Sequence, residues 1–348
     1  MKLLSFIVPC HNSEKKCRRL LDTLSMLNDG DVEILFIDDG STDGTLNVLE
    51  DFKERRAKVD TRILTQENKG PGGARNTGLR AASGEYVWFV DSDDDVNPDA
   101  IDVLRKVSDK NFDFVDFEVR SETGNVRPLP VEEGEYTNGK TVRKILLEHM
   151  SILTNKCVRR TFLLENDLFY PEYCIYEDNP VTLLIPFFVK SFYKSRVCGY
   201  YQYRYEDSVS KAKIDARYFD RLWTMVWGLS RAYPRTENDY EKSIVFRRFT
   251  RIYLINTIGP FMTPLPSSSW LTAMSIMKGY RSVLKAYTTR CDPLGFWKFS
   301  LKYRILFRFL WVMSYLIKKN DRKFAALYKK AWPNVGPESL AEKFIYTG

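Results

Sequence analysis

Glu85-Tyr86-Val87-Trp88-Phe89-Val90 runs directly into Asp91-Ser92-Asp93-Asp94-Asp95, and the reading of this junction decides the fold. The apolar hexad reads as a buried strand. Four carboxylates within the next five residues repel one another. Such a cluster persists in a folded protein mainly where water, cationic side chains or a divalent metal neutralise it. In an open α/β sheet, ligands bind at the carboxyl ends of the strands. Asp91 and Asp93 stand two apart, so an extended backbone aims both side chains the same way. That geometry suits one carboxylate on a metal and its neighbour on a bound sugar or on the same metal. The plainer reading is a solvated acidic turn capping a helix that begins near Pro98, since Asp is a preferred cap and turn residue.

Upstream, strand and helix signals alternate. Leu3–Val8, Val32–Ile37, Thr61–Thr65 and Tyr86–Val90 read as short strands. Between them, Glu14–Leu27 carries Leu20, Leu21, Leu24 and Leu27 at helical spacing, and Thr42–Arg55 carries Leu46, Leu49 and Phe52, with Asp43 placed to cap it. Gly72–Ala82 is a shorter helix. This alternation predicts a parallel, doubly wound sheet. Residues 110–150 read as looser, with a strand over Phe112–Val119 and a polar turn at Gly124. After about residue 205 aromatic-rich helical patterns take over, as in Tyr218–Tyr233 and Asp239–Thr257, with a Pro- and Ser-rich loop over Gly259–Ser269.

Two further strand ends join the acidic one. The first strand ends in Pro9-Cys10-His11-Asn12 and the second in Asp38-Asp39-Gly40-Ser41-Thr42-Asp43-Gly44. Asp38 and Asp39 offer acceptors able to hold the N–H edge of a base. A turn and a cap account for Gly40 to Asp43, but not for two adjacent acids against an apolar strand. The third element, Asn68-Lys69-Gly70-Pro71-Gly72-Gly73-Ala74-Arg75-Asn76-Thr77-Gly78, is a glycine-rich loop opening a helix. That is either an anion site or an ordinary turn. It lacks the Gly-Lys-Ser/Thr ending of a phosphate loop. No GxGxxG follows the first strand, which argues against a dinucleotide-binding dehydrogenase.

Composition narrows the class. The 348 residues suffice for two domains, 44% are apolar and 14% aromatic, and Lys plus Arg exceed Asp plus Glu by 53 − 45 = +8. An anionic partner fits that balance. Six cysteines without a CxxC pair and only two histidines argue against a structural zinc site or a disulfide framework. Free thiols in a reducing cytoplasm are the expectation, and no signal peptide is visible. The longest apolar stretch, Ile305 to Ile317, is too short to span a bilayer and carries Arg308.

The order of these segments resembles the family 2 glycosyltransferases. The match runs through Ser5–Asn12, Ile37–Gly44, Asn68–Gly78 and Phe89–Asp94, then Tyr176-Glu177-Asp178, Tyr203-Arg204 and Ser208-Val209-Ser210. It covers roughly residues 1–211. The resemblance implies a Rossmann-like GT-A domain over residues 1–211, with a mixed sheet flanked by helices, followed by a mostly helical region over residues 212–348. It also implies an inverting transferase that uses a nucleotide-sugar donor, a UDP-sugar in this reading, and Mn²⁺ or Mg²⁺. Pro9, Asp38, Asp39 and Arg75 would contact the nucleoside, Asp39 accepting from the base. Asp91 and Ser92 would belong to the ribose or metal shell, and Asp93 would ligate the metal. Asp178 would be the general base, with Glu177 as the second candidate. The chain departs from the family at His11, where a tyrosine is commoner beside the base; an imidazole can also stack. Asp178 has an alternative role as a helix cap before Asn179-Pro180. Arg204, Lys211 and Lys213 read equally as a closing loop over the diphosphate or as solvated charges.

From Phe296 to Lys330 the chain carries ten Lys or Arg, ten aromatics and one acid, Asp321. On a helix, Lys298, Lys302, Arg304 and Arg308 fall within a sector of roughly 160°, opposite Phe296, Phe299, Tyr303, Leu306, Phe307 and Leu310. That pattern suits peripheral contact with the anionic inner face of a membrane, or a basic-faced helix packed on the protein. The resulting expectation is a membrane-peripheral, cytoplasmic transferase acting on a lipooligosaccharide or capsular polysaccharide. One rival is a nucleotide-binding scaffold without turnover. Another is a sugar nucleotidyltransferase, whose glycine-rich signature is missing from Cys10–Glu14. No recognised nucleic-acid motif appears.

Overall fold

The computed structural model describes residues 2–122, 128–203, 216–258, 269–287, 307–310 and 312–313. The chain divides into two compact units, one of Met1–Tyr173 with Ile185–Val209 and one of Cys174–Leu184 with Ser210–Gly348. Outside the described residues lie the turn at Gly124, the Ser208–Ser210 motif, the loop cations Arg204, Lys211 and Lys213, and most of the basic aromatic stretch after Phe296.

The first unit opens with β1 (Leu4–Cys10), α1 (Arg18–Leu24), β2 (Val32–Asp39), α2 (Thr45–Arg55), β3 (Asp60–Gln66), α3 (Gly70–Ala81) and β4 (Tyr86–Phe89). It continues through β5 (Asp95–Val96), α4 (Asp99–Val107), β6 (Phe114–Ser121), β7 (Gly134–Tyr136), α5 (Gly139–His149), β8 (Lys156–Arg159), α6 (Arg160–Glu165) and, after the excursion into the other unit, β9 (Phe192–Gln202). The described strands form one sheet in the order β3-β2-β1-β4-β8-β6-β9-β5, with β7 on β9. β3, β2, β1 and β4 run parallel, as the strand–helix alternation predicts. β8 then turns the sheet antiparallel, so the sheet as a whole is mixed.

The near-continuous apolar runs of β1, β2 and β4 are what a strand covered on both faces requires. On one face Phe6, Val8, Cys10, Ile34, Phe36 and Trp88 meet Leu20, Leu21 and Leu24 of α1, Leu49 and Phe52 of α2, and Ile101 and Leu104 of α4. Trp88 lies between Phe6 and Phe117, at ring-centroid distances of 5.5 and 5.4 Å. On the other face α3 approaches β1 so closely that a Cβ on Gly78 would sit 2.3 Å from Ile7 Cγ2. Helix α1 begins at Arg18 rather than Glu14. The Glu14 carboxylate is turned across to accept from the Gly44 N–H at 3.2 Å, and Ser13 N donates to Thr45 Oγ1 at 2.7 Å.

The stretch that reads as loose in the sequence supplies β6, β7 and α5, and its charges are internal. Asp116 on β6 lies between Lys156 of β8 at 2.7 Å and Lys194 of β9 at 3.0 Å. Lys194 also reaches Glu118 at 2.7 Å, and Asn155 bridges the group by donating to Asp116 and accepting from Lys156. The side chains of Asp116 and Lys194 have no solvent exposure. Two cations against two carboxylates balance, so the cluster tolerates burial that an isolated charge would not.

The second unit contains α7 (Asp178–Leu184), a short 3-10 turn over Ala216–Phe219, α8 (Asp220–Ala232) and α9 (Asp239–Thr250). A wide turn over Arg251–Ile255 leads into α10 (Asn256–Ile258), and α11 (Ser269–Tyr287) follows. α7 packs on α8 through Gly228, whose missing Cβ leaves room for Pro180. Phe249 stacks on Tyr280 with centroids 5.8 Å apart, and the Tyr280 hydroxyl lies 2.7 Å from Thr250 Oγ1. Among the described residues no helix is long and apolar enough to cross a membrane.

Breaking the buried charge cluster should be strongly destabilising. Lys194→Met leaves Asp116 and Glu118 short of a counter-charge and is expected to lower the unfolding free energy by about 3–5 kcal/mol. Adding Asp116→Leu should recover part of that loss. Urea titration of the three proteins checks both, and a single-mutant change within about 1 kcal/mol would show the cluster to be energetically neutral.

Candidate functional site

The parallel half of the sheet opens at its carboxyl edge. Pairing of β1 with β4 ends at Ile7–Phe89, whereas pairing with β2 continues to Cys10–Asp38. Pro9, Cys10 and His11 therefore extend beyond the last residue paired to β4, beside the acidic turn that follows β4. His11 Nδ1 lies 2.8 Å from the Asp39 carbonyl oxygen, so Nδ1 carries the proton and donates. The side-chain amides of Asn12 and Asn68 lie 3.2 and 3.3 Å from Nε2. The imidazole is thereby held in one orientation at the end of β2.

Asp38 and Asp39 are separated by strand alternation. Asp39 Oδ1 accepts from Gln66 Nε2 at 2.7 Å and from the Lys69 N–H at 2.9 Å, tying β2 to the start of α3. Burial pushes its carboxyl above the usual carboxylate range, against those hydrogen bonds. Asp38 lies on the face of Phe36, next to Cys10, and its buried Oδ1 has no hydrogen-bond partner. The structure thus groups Asp39 with His11 and the α3 loop, and Asp38 with the core.

Arg75 is nearly buried on α3. Its guanidinium donates to Asp91 Oδ1 at 2.6 Å and lies 5.3 Å from the centroid of the Tyr170 ring. Ser92 is held through its hydroxyl, 2.9 Å from Ser13 Oγ, which links the acidic turn to the loop after β1. Asp93 is partly exposed. Asp94 is buried, with one carboxylate oxygen accepting from the Tyr200 hydroxyl at 2.7 Å and the other from the Tyr203 N–H at 3.0 Å. Burial and the charges of Asp91 and Asp93 push Asp94 up to about 8. Asp95 turns back to accept from the Val96 N–H at 2.9 Å.

Of the four carboxylates, Asp91 and Asp93 are thus the pair presented to solvent. Their hard oxygens and the excess negative charge around them suit Mn²⁺ or Mg²⁺, which bind through one or two carboxylates together with substrate phosphates. Among the described residues no three His, Cys, Asp or Glu side chains converge into an all-protein cage.

In the second unit Asp178 opens α7, and its Oδ1 accepts from Asn179 Nδ2 at 3.0 Å. Asp178 is half-buried and Glu177 buried, so the aspartate is the more accessible of the two candidate bases. The preceding loop is anchored to the start of α8. Ile175 N donates to Asp220 Oδ2 at 3.0 Å. Tyr176 sits at φ +66°, with the Arg221 guanidinium 3.8 Å from its ring centroid. A tyrosine in the left-handed region costs about 1–3 kcal/mol and persists where its surroundings hold it; the Arg221 guanidinium over its ring is one such contact.

Sequence reasoning gave no role to Asn76, Tyr170, Tyr200 or Arg221. Asn76 is the residue whose position in Ala74-Arg75-Asn76 carried a signal. Its buried amide donates to the Tyr170 carbonyl at 2.9 Å and to Glu172 at 3.0 Å, and accepts from Tyr170 N at 2.9 Å. It therefore sets the segment whose ring stacks on Arg75.

The family model described as Glycosyl transferase family 2 matches residues 5–165. The chain is 31% identical over 181 residues to the poly(ribitol-phosphate) beta-N-acetylglucosaminyltransferase TarS of Staphylococcus aureus, which is 49% of this chain and 30% of that protein. It is 36% identical over 135 residues to glycosyltransferase GlyA of Streptococcus pneumoniae, 38% of this chain and 18% of that one. The matches span less than a third of the length of either relative. The crystal structure of S. aureus TarS residues 1–349 in complex with UDP-GlcNAc superposes with a TM-score of 0.69 at 22% identity, covering 96% of this chain and 91% of that one. That likeness identifies the fold as GT-A.

Asn76→Ala would strip both backbone groups of Tyr170 of their partner in a buried setting. A loss of about 1–3 kcal/mol in stability is expected, with faster amide exchange across residues 168–173, measured by hydrogen–deuterium exchange.

Proposed function

We propose, for a chain that belongs to glycosyl transferase family 2 through its residues 5–165, that it transfers a sugar from a UDP-sugar to a hydroxyl of a cell-surface glycan, with inversion. The observation that carries this reading is the chain of contacts from Asp39 through the α3 loop to Arg75 and Asp91. It joins a base-accepting carboxylate to a pair of solvent-facing carboxylates at the carboxyl edge of a parallel sheet. The TarS structures with UDP-GlcNAc and with UDP support a uridine nucleotide as donor.

In this mechanism Asp39 accepts from an N–H of the base, Pro9 and the fixed His11 ring flank it, and Arg75 holds Asp91 in place toward the ribose. Asp93, with Asp91, would hold Mn²⁺ or Mg²⁺. When bound, that ion supplies positive charge against the leaving diphosphate. The acceptor oxygen forms its bond to the anomeric carbon as the bond from that carbon to the diphosphate oxygen breaks, and the electron pair leaves with UDP. Asp178 takes the acceptor proton. One displacement inverts the anomeric centre without a sugar–enzyme bond.

For the acceptor, the sequence points to a lipooligosaccharide or capsular polysaccharide, and the relative named for poly(ribitol-phosphate) adds a polyol-phosphate chain. The net charge of +8 suits the polyanion. The basic aromatic stretch after Phe296 supports peripheral contact with an anionic membrane, where such an acceptor is assembled. Replacing Lys298, Lys302, Arg304 and Arg308 with Ser should release the protein from anionic liposomes, and unchanged co-sedimentation would overturn this part.

Calorimetric titration with UDP, GDP and CDP, each with Mn²⁺ and with EDTA, tests the donor reading. Metal-dependent selectivity for UDP is expected, together with a loss of at least about tenfold in Asp93→Ala. Asp178→Ala should retain UDP affinity and lower transfer by about 10²–10⁴-fold. Full transfer by that variant would refute the base assignment. Nucleotide binding without turnover of any sugar donor by the wild-type protein would favour the scaffold reading.

A further inference from the structure

The Asp91–Asp95 turn is bracketed by two strands. β4 enters it, and β5 leaves it paired antiparallel to β9 through Asp95–Tyr201 and Val96–Tyr200. Asn97 N donates to the Gly199 carbonyl at 2.9 Å. β9 in turn packs closely on β6, where a Cβ on Gly199 would meet Phe117 at 2.8 Å. From this rigid position the wholly buried Tyr200 hydroxyl reaches into the turn. It donates to Asp94 Oδ2 at 2.7 Å and accepts from the Asp91 N–H at 3.3 Å. Just past the end of β9 the Tyr203 N–H donates to Asp94 Oδ1 at 3.0 Å. The Tyr203 ring is covered by the Arg19 guanidinium of α1 at 3.6 Å from its centroid.

Both oxygens of Asp94 are therefore spent on β9 and the residue that follows it. One phenol spans the turn, contacting the backbone of Asp91 and the side chain next to Asp93. We propose that Tyr200 is a positioning residue that sets the geometry of Asp91 and Asp93 for the divalent cation and donor diphosphate, with Asp94 as its internal anchor rather than a ligand. The inference rests on the donor reading above. Without the hydroxyl, Asp94 loses its shortest bond and the Asp91 amide loses its acceptor. The two outward carboxylates can then separate under their own repulsion. Loss of one partner in a buried hydrogen-bonded group corresponds to about a tenfold change in an equilibrium constant.

Tyr200→Phe removes one oxygen and keeps the ring. Three readouts separate positioning from mere structure: half-saturating Mn²⁺ for UDP binding, Mn²⁺ binding alone by electron paramagnetic resonance, and amide exchange across residues 91–94. The expected result is a rise of at least about tenfold in half-saturating Mn²⁺, faster exchange in the turn, and less than a twofold change in residual UDP affinity under EDTA. Arg19→Gln, an exposed substitution that uncovers Tyr203, should shift the Mn²⁺ requirement the same way by a smaller factor. It serves as the test if the Phe variant does not fold. Wild-type Mn²⁺ dependence and wild-type turn exchange in the variant would overturn the proposal. If the wild-type protein binds no UDP, the donor reading fails by itself. The proposal then stands or falls on Mn²⁺ binding alone and on turn exchange.

Discussion

Mutual repulsion among Asp91, Asp93, Asp94 and Asp95 is the constraint around which the first unit is arranged. Two unit charges 4 Å apart interact by about 4 kcal/mol at an effective dielectric of 20, so each carboxyl needs its own partner, and burial with the charges of Asp91 and Asp93 pushes Asp94 up to about 8. Asp91 takes the Arg75 guanidinium, Asp94 takes a phenol from β9 and the N–H of the residue after it, and Asp95 takes Thr23 of α1 and the Val96 N–H. These partners come from α1, from α3, from β9 with the residue that follows it, and from β5. The requirement to neutralise one five-residue turn therefore draws together elements distant in sequence. Asp91 and Asp93 keep partial exposure beside one another, and the geometry of that pair is set by the partners of its neighbours.

The same logic explains why the sheet changes direction after β4. The parallel half provides the splayed carboxyl edge; β8, antiparallel to both β4 and β6, joins it to the parallel pair β6 and β9, which provides a brace against which the acidic turn is held. That brace has a polar interior of its own. Asp116, Glu118, Lys156 and Lys194 form a balanced buried cluster, which specifies the pairing of three strands far apart in sequence. A purely apolar face would tolerate a slipped register more readily, because charges must meet their counter-charges while methyl groups need only meet one another.

The parallel half was legible because its signals are local. Near-continuous apolar runs, leucines at helical spacing and glycine-rich turns lie within single elements, and the mixed GT-A class followed from the order of the motifs. Boundaries moved where a side chain formed a contact across the fold, as at Glu14, whose carboxylate serves Gly44 instead of extending α1. Residues 110–150 read as loose for a physical reason. Asp116 and Glu118 look like solvent-facing charges until Lys194, 78 residues away from Asp116, is known to meet them. The site shows the same division. Asp39, Arg75 and Asp91 could be named from motif order. Tyr200, which lies 106 residues from Asp94, carried no local signal, since a tyrosine in a strand is ordinarily a packing residue.

Adjacent acids are a case where counting residues misleads and backbone geometry corrects it. Asp38 and Asp39 look equivalent in sequence, yet alternation sends one toward Cys10 in the core and the other toward His11 and the α3 loop. Asp93 and Asp94 separate in the same manner across a turn, one outward and one inward. Burial separates only the second pair, Asp94 buried and Asp93 partly exposed; Asp38 and Asp39 are both buried and differ in their partners, Asp39 tied to Gln66 and the Lys69 N–H. An inward carboxylate without sufficient donors is costly, which is why Asp94 holds two hydrogen bonds. Asp38, with one buried oxygen unpartnered, remains a standing energetic penalty at the edge of the site. A penalty of that kind at the carboxyl end of a central strand is the sort of local conflict that folded proteins concentrate where they bind ligands. It places the burden of explaining the Asp-Asp pair on function rather than on packing.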